Sequence, residues 1–164
     1  MACRGVHFAL ENQDVDRLLA SSSDEGVLEI LQEEIESKWD EDWLYESDKA
    51  WDAIHRCLSG GSLGFDSTNY PLSLAVLNGR QLYSKEDYVI SLLEPKEVAE
   101  IASGLLSVDQ AWLKLQYDSI DAEEYGVPKD QQDWEYTWEY FEGMVLFFQK
   151  AAHSGRHVVF SVDQ

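Results

Sequence analysis

Two segments in the first half of the chain are the most informative: residues 48–60 read DKAWDAIHRCLSG, and residues 71–79 read PLSLAVLNG. In the first, Ser47 or Asp48 is placed to cap a helix, and a Gly-Gly pair ends it. The second is apolar over residues 72–77 apart from Ser73 and is followed by a turn-forming Asn-Gly pair. So short an apolar run is compatible with a buried strand or a short core helix, because periodicity does not separate the two.

The rest of the chain alternates a few predicted strands with many predicted helices. The longest helix is predicted over about residues 132–152, where aromatic side chains recur at helical spacing. No internal repeat or linker interrupts the 164 residues, a length typical of one domain, so we expect a single domain over residues 1–164. The pattern predicts an α/β fold in which several helices cover a small central mixed β-sheet. Its strands are predicted near residues 3–10, 72–77, 88–93 and 157–163.

A family resemblance rests on the same two segments. The Trp-Asp-x-x-His motif at Trp51–His55 and the Pro-Leu-Ser-x-Ala-Val-Leu motif at Pro71–Leu77 together resemble the signature of the YfbM-like family. This group of small bacterial proteins is classed as a domain of unknown function. The resemblance covers nearly the whole chain and implies a compact α/β domain without implying an activity. The chain departs from the family pattern at Val6-His7-Phe8, which replaces a more apolar aromatic segment.

The acidity of the chain limits its partners. Thirty-two Asp and Glu residues against 12 Lys and Arg residues give a formal net charge of −20. Such a chain is repelled by nucleic-acid phosphates and by anionic membrane surfaces, so we expect neither as a partner. The charge suits a cytoplasmic protein and is compatible with a basic protein partner. The first ten residues lack the apolar core of a signal peptide, and no apolar run is long enough to span a membrane.

Candidate acid–base residues occur in the first segment. Asp48, Asp52 and His55 are spaced i, i+4, i+7, which places them in one stripe of a helix that includes all three. At the margin of the core, a carboxylate could hydrogen-bond the imidazole and raise its pKa, giving an acid–base pair beside a small-molecule cleft. The alternative is structural: Asp48 caps the helix, and the other two side chains tie it to neighbouring loops.

Motifs that would specify a reaction or a cofactor are absent from the sequence. Cys57 and Ser73 are possible nucleophiles, but a cysteine is commonly a small buried apolar residue, and Ser73 lies in an apolar run without the Gly-x-Ser-x-Gly motif that exposes a hydrolase serine. The histidines and cysteines show no metal-ligand spacing, and no phosphate-binding glycine loop is present. We therefore expect no metal and no cofactor, and the sequence leaves open whether the protein is an enzyme.

An acidic segment rich in aromatic residues provides the other candidate site. Trp39, Asp40, Glu41, Asp42 and Trp43 combine aromatic contact area with carboxylates that pair with Lys or Arg, as in surfaces that bind basic proteins. Alternatively, both tryptophans fold into the core and the acids are only solvated.

We favour an interaction module that binds a basic partner, for example an inhibitor or immunity-type protein. The competing hypothesis is a small-molecule-binding protein or hydrolase-like enzyme with its cleft near Asp48, Asp52 and His55.

Overall fold

Within residues 3–65 and 69–164, which the computed structural model describes, five strands form an antiparallel sheet in the order β2-β1-β5-β4-β3. Helices cover both faces of this sheet. The elements in chain order are β1 (Gly5–Leu10), α1 (Asn12–Ala20), α2 (Asp24–Glu29), β2 (Leu44–Asp48), α3 (Trp51–Ser59), β3 (Arg80–Gln81), β4 (Tyr88–Leu93), α4 (Pro95–Leu105), α5 (Gln110–Asp118), α6 (Ala122–Tyr125), α7 (Gln131–His153) and β5 (His157–Asp163). After α2 the chain continues through a π-helical turn (Ile30–Ile35) and a 3-10 turn (Glu36–Lys38).

Strand alternation gives the sheet two apolar faces. On one face, Ala9, Leu93 and Phe160 belong to the larger core, which includes buried side chains of α3, α4 and α7. On the other, Phe8 and Val159 pack in a smaller core with side chains of α1 and of the α2 segment. The sheet is therefore enclosed between two helical layers.

Most of the predicted elements are confirmed, and so is the α/β fold class. The predicted strands near residues 3–10, 88–93 and 157–163 are β1, β4 and β5, and the longest predicted helix is α7. Pro95 opens α4 behind a capping box in which Glu94 and Glu97 each bind the other's backbone N–H. These elements have strong local patterns, which explains why the sequence was sufficient to locate them.

Two predictions about the sheet are wrong. The apolar run at residues 72–77 is not a strand, because a 3-10 turn at Leu72–Leu74 satisfies backbone groups locally, with Ala75 N–H donating to the Leu72 carbonyl at 3.1 Å. The side chains of Ala75, Val76 and Leu77 are nevertheless buried in the larger core. The sheet is not mixed either, since every strand pairing in the described residues is antiparallel.

The turn from β2 into α3 also differs from the prediction. Asp48 ends β2 opposite Gly5, and its left-handed φ of 47° redirects the chain, so that α3 begins only at Trp51. Ser47 caps no helix, because its hydroxyl donates to the Gly5 carbonyl at 3.1 Å. Helix α3 is enclosed by its neighbours, and every residue from Ala53 to Ser59 is buried.

Candidate functional site

The acidic–aromatic surface, which we define as residues 39–43, forms a tight turn ahead of β2. Trp39 ends the preceding 3-10 turn with a left-handed φ of 42°. The Asp40 carboxylate then accepts the Asp42 N–H at 3.2 Å, and the Asp40 carbonyl accepts the Trp43 N–H at 2.9 Å. Because the turn closes on its own backbone, Asp40, Glu41 and Asp42 are exposed together.

The two tryptophans of this surface have different environments. Trp39 is 40% exposed and contacts Phe8 edge-on, with 6.3 Å between the ring centroids. Trp43 is partly buried, and its ring centroid lies 3.5 Å from the guanidinium carbon of Arg156 and 4.4 Å from the Lys150 ammonium. The cation–π contacts of Trp43 are thus made with basic residues of its own chain.

A cavity of about 240 Å³ adjoins the acidic–aromatic surface. Asp40 and Trp43 line one side of it, and Arg156 extends along it, donating to the Ala9 carbonyl and to the Glu11 carboxylate at 3.2 Å each. Four carboxylates and two basic side chains line the cavity: Glu11, Asp14, Glu34, Asp40, Lys38 and Arg156. Its lining is therefore acidic overall, like the turn beside it.

The structure does not bring Asp48, Asp52 and His55 together as predicted. Asp48 lies outside α3. Its carboxylate accepts a hydrogen bond from the Tyr136 hydroxyl at 2.7 Å and forms an ion pair with the Arg4 Nε at 3.4 Å. Asp52 binds the Arg56 Nε at 2.6 Å. His55 is fully buried, with its Nε2 3.5 Å from the Gly64 carbonyl, and it makes no hydrogen bond to either aspartate in the described residues. The predicted stripe is wrong because α3 begins only at Trp51, after Asp48, and because His55 lies on a fully buried side of the helix.

The electrostatics of these groups also contradict the predicted acid–base pair. The pKa of His55 is lowered to about 4, mainly by burial; the hydrogen bond to Gly64 opposes this decrease, and the nearby Arg56 charge makes a smaller contribution to it. The imidazole is therefore neutral near pH 7, whereas a carboxylate partner would have raised its pKa. Burial raises the pKa of Asp52, the hydrogen bond and charge of Arg56 oppose the rise, and the charge of Asp133 adds to it.

A cleft does exist beside Asp52, but with other neighbours. This α3–α7 cleft, of about 350 Å³, lies where the first turns of α3 and α7 approach each other. Its lining residues are Cys3, Lys49, Trp51, Asp52, Tyr125, Val127, Asp133 and Tyr136. Sequence reasoning missed Asp133, Tyr125 and Tyr136, since they lie more than 70 residues from Asp52 and form no local motif. The one available signal was the position of Tyr136 at the edge of the apolar side of the longest helix.

The other chemistry-bearing residues of the described chain are not arranged as a reactive site. Cys57 is 1% exposed, and burial raises the pKa of its thiol to about 12, so it is not a nucleophile in the folded protein. Ser73 is also buried. No three His, Cys, Asp or Glu residues in the described ranges converge on a point where a metal ion would fit. None of the helices there has the length and hydropathy needed to cross a bilayer, including the 23-residue α7.

Comparison with known proteins identifies the family. The family described as a domain of unknown function (DUF1877) matches residues 1–161, and the chain belongs to it. The fold is similar to the crystal structure of YfbM from Escherichia coli, a protein of unknown function, with a TM-score of 0.67 and 22% sequence identity. That match covers 97% of this chain and 99% of the other, and at this identity it shows the fold alone. No functionally curated protein matches the sequence. The YfbM-like resemblance is confirmed, and no specific function comes with it.

Proposed function

We propose that this member of the DUF1877 family is an interaction module that binds a basic protein of the bacterial cytoplasm through its acidic–aromatic surface. The observation that supports this most directly is the turn at residues 39–43, which exposes three successive carboxylates beside a 40% exposed tryptophan. Carboxylates pair with Lys and Arg, and an exposed indole supplies contact area and a cation–π partner. The turn therefore combines the two kinds of contact that a basic protein surface needs.

The charge around the turn supports the same proposal. Glu11, Asp14 and Glu34 line the adjoining cavity, so the exposed acids continue into a larger negative surface. The net charge of −20 adds a long-range field that attracts a positively charged partner and orients it before contact. Attraction of this kind is screened by salt, so binding should weaken as ionic strength rises.

The environment of Trp43 provides an internal example of the proposed chemistry. Arg156 and Lys150 already lie against its ring, and Lys150 donates to the carbonyl of Asp42. The surface can therefore hold guanidinium and ammonium groups against its aromatic rings. Because Trp43 has cations of its own chain, we assign the aromatic contact with the partner to Trp39.

A charge-matched pair of variants tests the proposal. In one, Asp40→Asn, Glu41→Gln and Asp42→Asn are combined, which keeps an oxygen acceptor at residue 40 for the turn. The control changes three carboxylates that make no hydrogen bond or ion pair in the described structure and lie outside this surface: Glu86→Gln, Glu123→Gln and Glu142→Gln. Both variants have the same net charge, so any difference between them reports position. A synthetic Lys- and Arg-rich peptide serves as the probe, and its binding is measured by fluorescence anisotropy at low and moderate salt.

We expect the first variant to bind the peptide about tenfold more weakly than the control, since three lost pairings of about 0.5 kcal/mol each amount to one decade. Trp39→Ala should weaken binding without any change in charge. An equal loss of peptide affinity in both charge variants would contradict the proposal, because it would show that binding depends on the net charge of the protein and not on residues 39–43. A pull-down with the same proteins then identifies the natural partner as a basic protein that the wild type and the control retain and the first variant does not.

A further inference from the structure

The α3–α7 cleft is distinct from the acidic–aromatic surface and has a different composition. Aromatic side chains of three elements form its walls: Trp51 from the start of α3, Tyr125 from the end of α6 and Tyr136 from α7. Two carboxylates, Asp52 and Asp133, open into the same space. The cleft therefore combines apolar rings with two negative charges at about 350 Å³, a volume typical of sites for small molecules.

Asp133 is held in place by hydroxyl groups and has no cationic partner among the residues that the structure describes. Its Oδ2 accepts the Tyr117 hydroxyl at 2.6 Å and the Tyr125 hydroxyl at 3.0 Å. Its Oδ1 has one longer contact, 3.3 Å from the Tyr125 hydroxyl, which leaves capacity for another donor. Among the ion pairs of the described residues, none includes Asp133. A partly buried carboxylate that is oriented but unpaired is suited to bind a cation.

Asp52 supplies a second carboxylate with unused capacity. One of its oxygens, Oδ1, accepts the Arg56 Nε at 2.6 Å, and no described residue donates to the other. The negative charge of Asp133 also acts on Asp52 and repels it, although the hydrogen bond and charge of Arg56 have the larger, opposite effect on the Asp52 carboxylate. A cation between them would relieve this repulsion, whereas a bound anion would increase it.

We propose that the α3–α7 cleft binds a small aliphatic primary amine. The ammonium group lies between the Asp52 and Asp133 carboxylates, and the hydrocarbon chain packs on the rings of Trp51 and Tyr136. An ammonium ion has three donors, which match the unused carboxylate capacity, and it is attracted to the faces of aromatic rings. Lys49 is the one basic side chain among the lining residues, and it would repel a bound ammonium group. It makes no ion pair in the described residues, and because it is exposed it can turn into solvent.

Three probes with the same carbon chain and different charges test the ligand class: butylammonium, butanol and butyrate. The readout is the set of Trp indole N–H signals in two-dimensional NMR spectra of the ¹⁵N-labelled protein, which has six tryptophans. The Trp51 indole lines the cleft and donates to the Cys3 carbonyl at 3.0 Å, so its signal should report occupancy. It is assigned by its loss in Trp51→Phe. The Trp43 indole, outside the cleft, is the internal control.

We expect butylammonium to shift the Trp51 signal in a saturable manner at millimolar concentration, and butanol and butyrate to leave it unchanged at the same concentration. Asp133→Asn should weaken the amine at least tenfold, while Glu142→Gln, an exposed charge change on the same helix, should leave its affinity unaltered. Lys49→Met should strengthen amine binding two- to fivefold, because it removes a like charge from the rim. This variant keeps the test decisive if Asp133→Asn does not fold, since Lys49 is exposed.

Three results would overturn the proposal. Saturable shifts with butanol equal to those with butylammonium would make the cleft a neutral, apolar site. Binding of butyrate that Lys49→Met abolishes would make it an anion site. If none of the three probes shifts the Trp51 signal, the cleft does not bind aliphatic amines. All three outcomes are independent of the basic-peptide experiment, which uses residues on a separate surface.

Discussion

A buried histidine in the larger core should make the stability of this protein depend on pH in a range where carboxylates change little. His7 is fully buried beneath the sheet, and its Nε2 lies 2.8 Å from the Ala75 carbonyl. Its ring contacts Phe147, Phe148 and Phe160, with centroid distances of 4.7–5.8 Å. Burial among these rings lowers the pKa of His7 to about 4, and the hydrogen bond to Ala75 opposes this only in part.

The sign and size of the effect follow from linkage. In the unfolded chain the histidine titrates near 6.5, so that chain takes up a proton before the folded protein does. The stability contributed by the neutral ring is therefore complete above about pH 6.5 and falls as the pH decreases towards 4. Between pH 7 and pH 5 the free energy of unfolding should fall by about 2 kcal/mol on account of His7 alone. His55, whose pKa is lowered to about 4 by burial, should add a fall in the same direction.

Urea unfolding of the wild type and of His7→Gln at pH 7, 6 and 5 tests this reasoning. Glutamine keeps a donor for the Ala75 carbonyl but does not titrate, so the variant should lose about 2 kcal/mol less than the wild type over this range. Any constant cost of the substitution cancels when the slopes are compared, as do contributions of carboxylates common to both proteins. Parallel slopes for the two proteins would refute the low pKa of His7 and with it the dry environment assigned to the ring.

Two further predictions concern the packing around the start of α3. Gly5→Ala should lower the free energy of unfolding by about 1–3 kcal/mol in urea titrations, because a Cβ there would lie 2.8 Å from Phe160 and Trp51 ring carbons; a loss below about 0.5 kcal/mol would show that the rings move apart easily. Alkylation of the native protein with iodoacetamide near pH 8 should modify Cys3, which is only partly buried, and leave Cys57 unmodified until urea unfolds the chain. Equal labelling of both cysteines in the native state, measured by peptide mass spectrometry, would contradict the burial of Cys57.

Sequence patterns predicted those elements whose information is local. The aromatic periodicity of α7 and the β-branched residues of β5 each identify an element without reference to the rest of the chain. β2 was missed because it is a half-exposed edge strand, whose sequence Leu-Tyr-Glu-Ser-Asp gives no apolar alternation. The run at residues 72–77 was ambiguous because its side chains are buried in either conformation, and tertiary contacts decided between them.

A candidate site could be predicted from the sequence when its residues are close together in the chain, and not when tertiary structure brings them together. The acidic–aromatic surface is one continuous turn, so the sequence identified its residues, although it did not reveal that Arg156 and Lys150 would lie against Trp43. The helical stripe of Asp48, Asp52 and His55 depended on where α3 begins and on which of its sides is exposed. Both were decided elsewhere, by the left-handed turn at Asp48 and by the elements that enclose the helix.

The α3–α7 cleft illustrates why function in this fold is difficult to infer from local motifs. Its carboxylates come from the first turns of two helices, Asp52 in α3 and Asp133 in α7, where the helix dipole favours a negative charge in any protein. Each residue considered alone is therefore explained by helix stability. The convergence of both carboxylates on one aromatic cleft goes beyond what helix stability requires, since two like charges that line the same cleft repel each other. The amine titration with Asp133→Asn and Glu142→Gln separates the two explanations, because both variants remove one charge from α7 and only one removes it from the cleft.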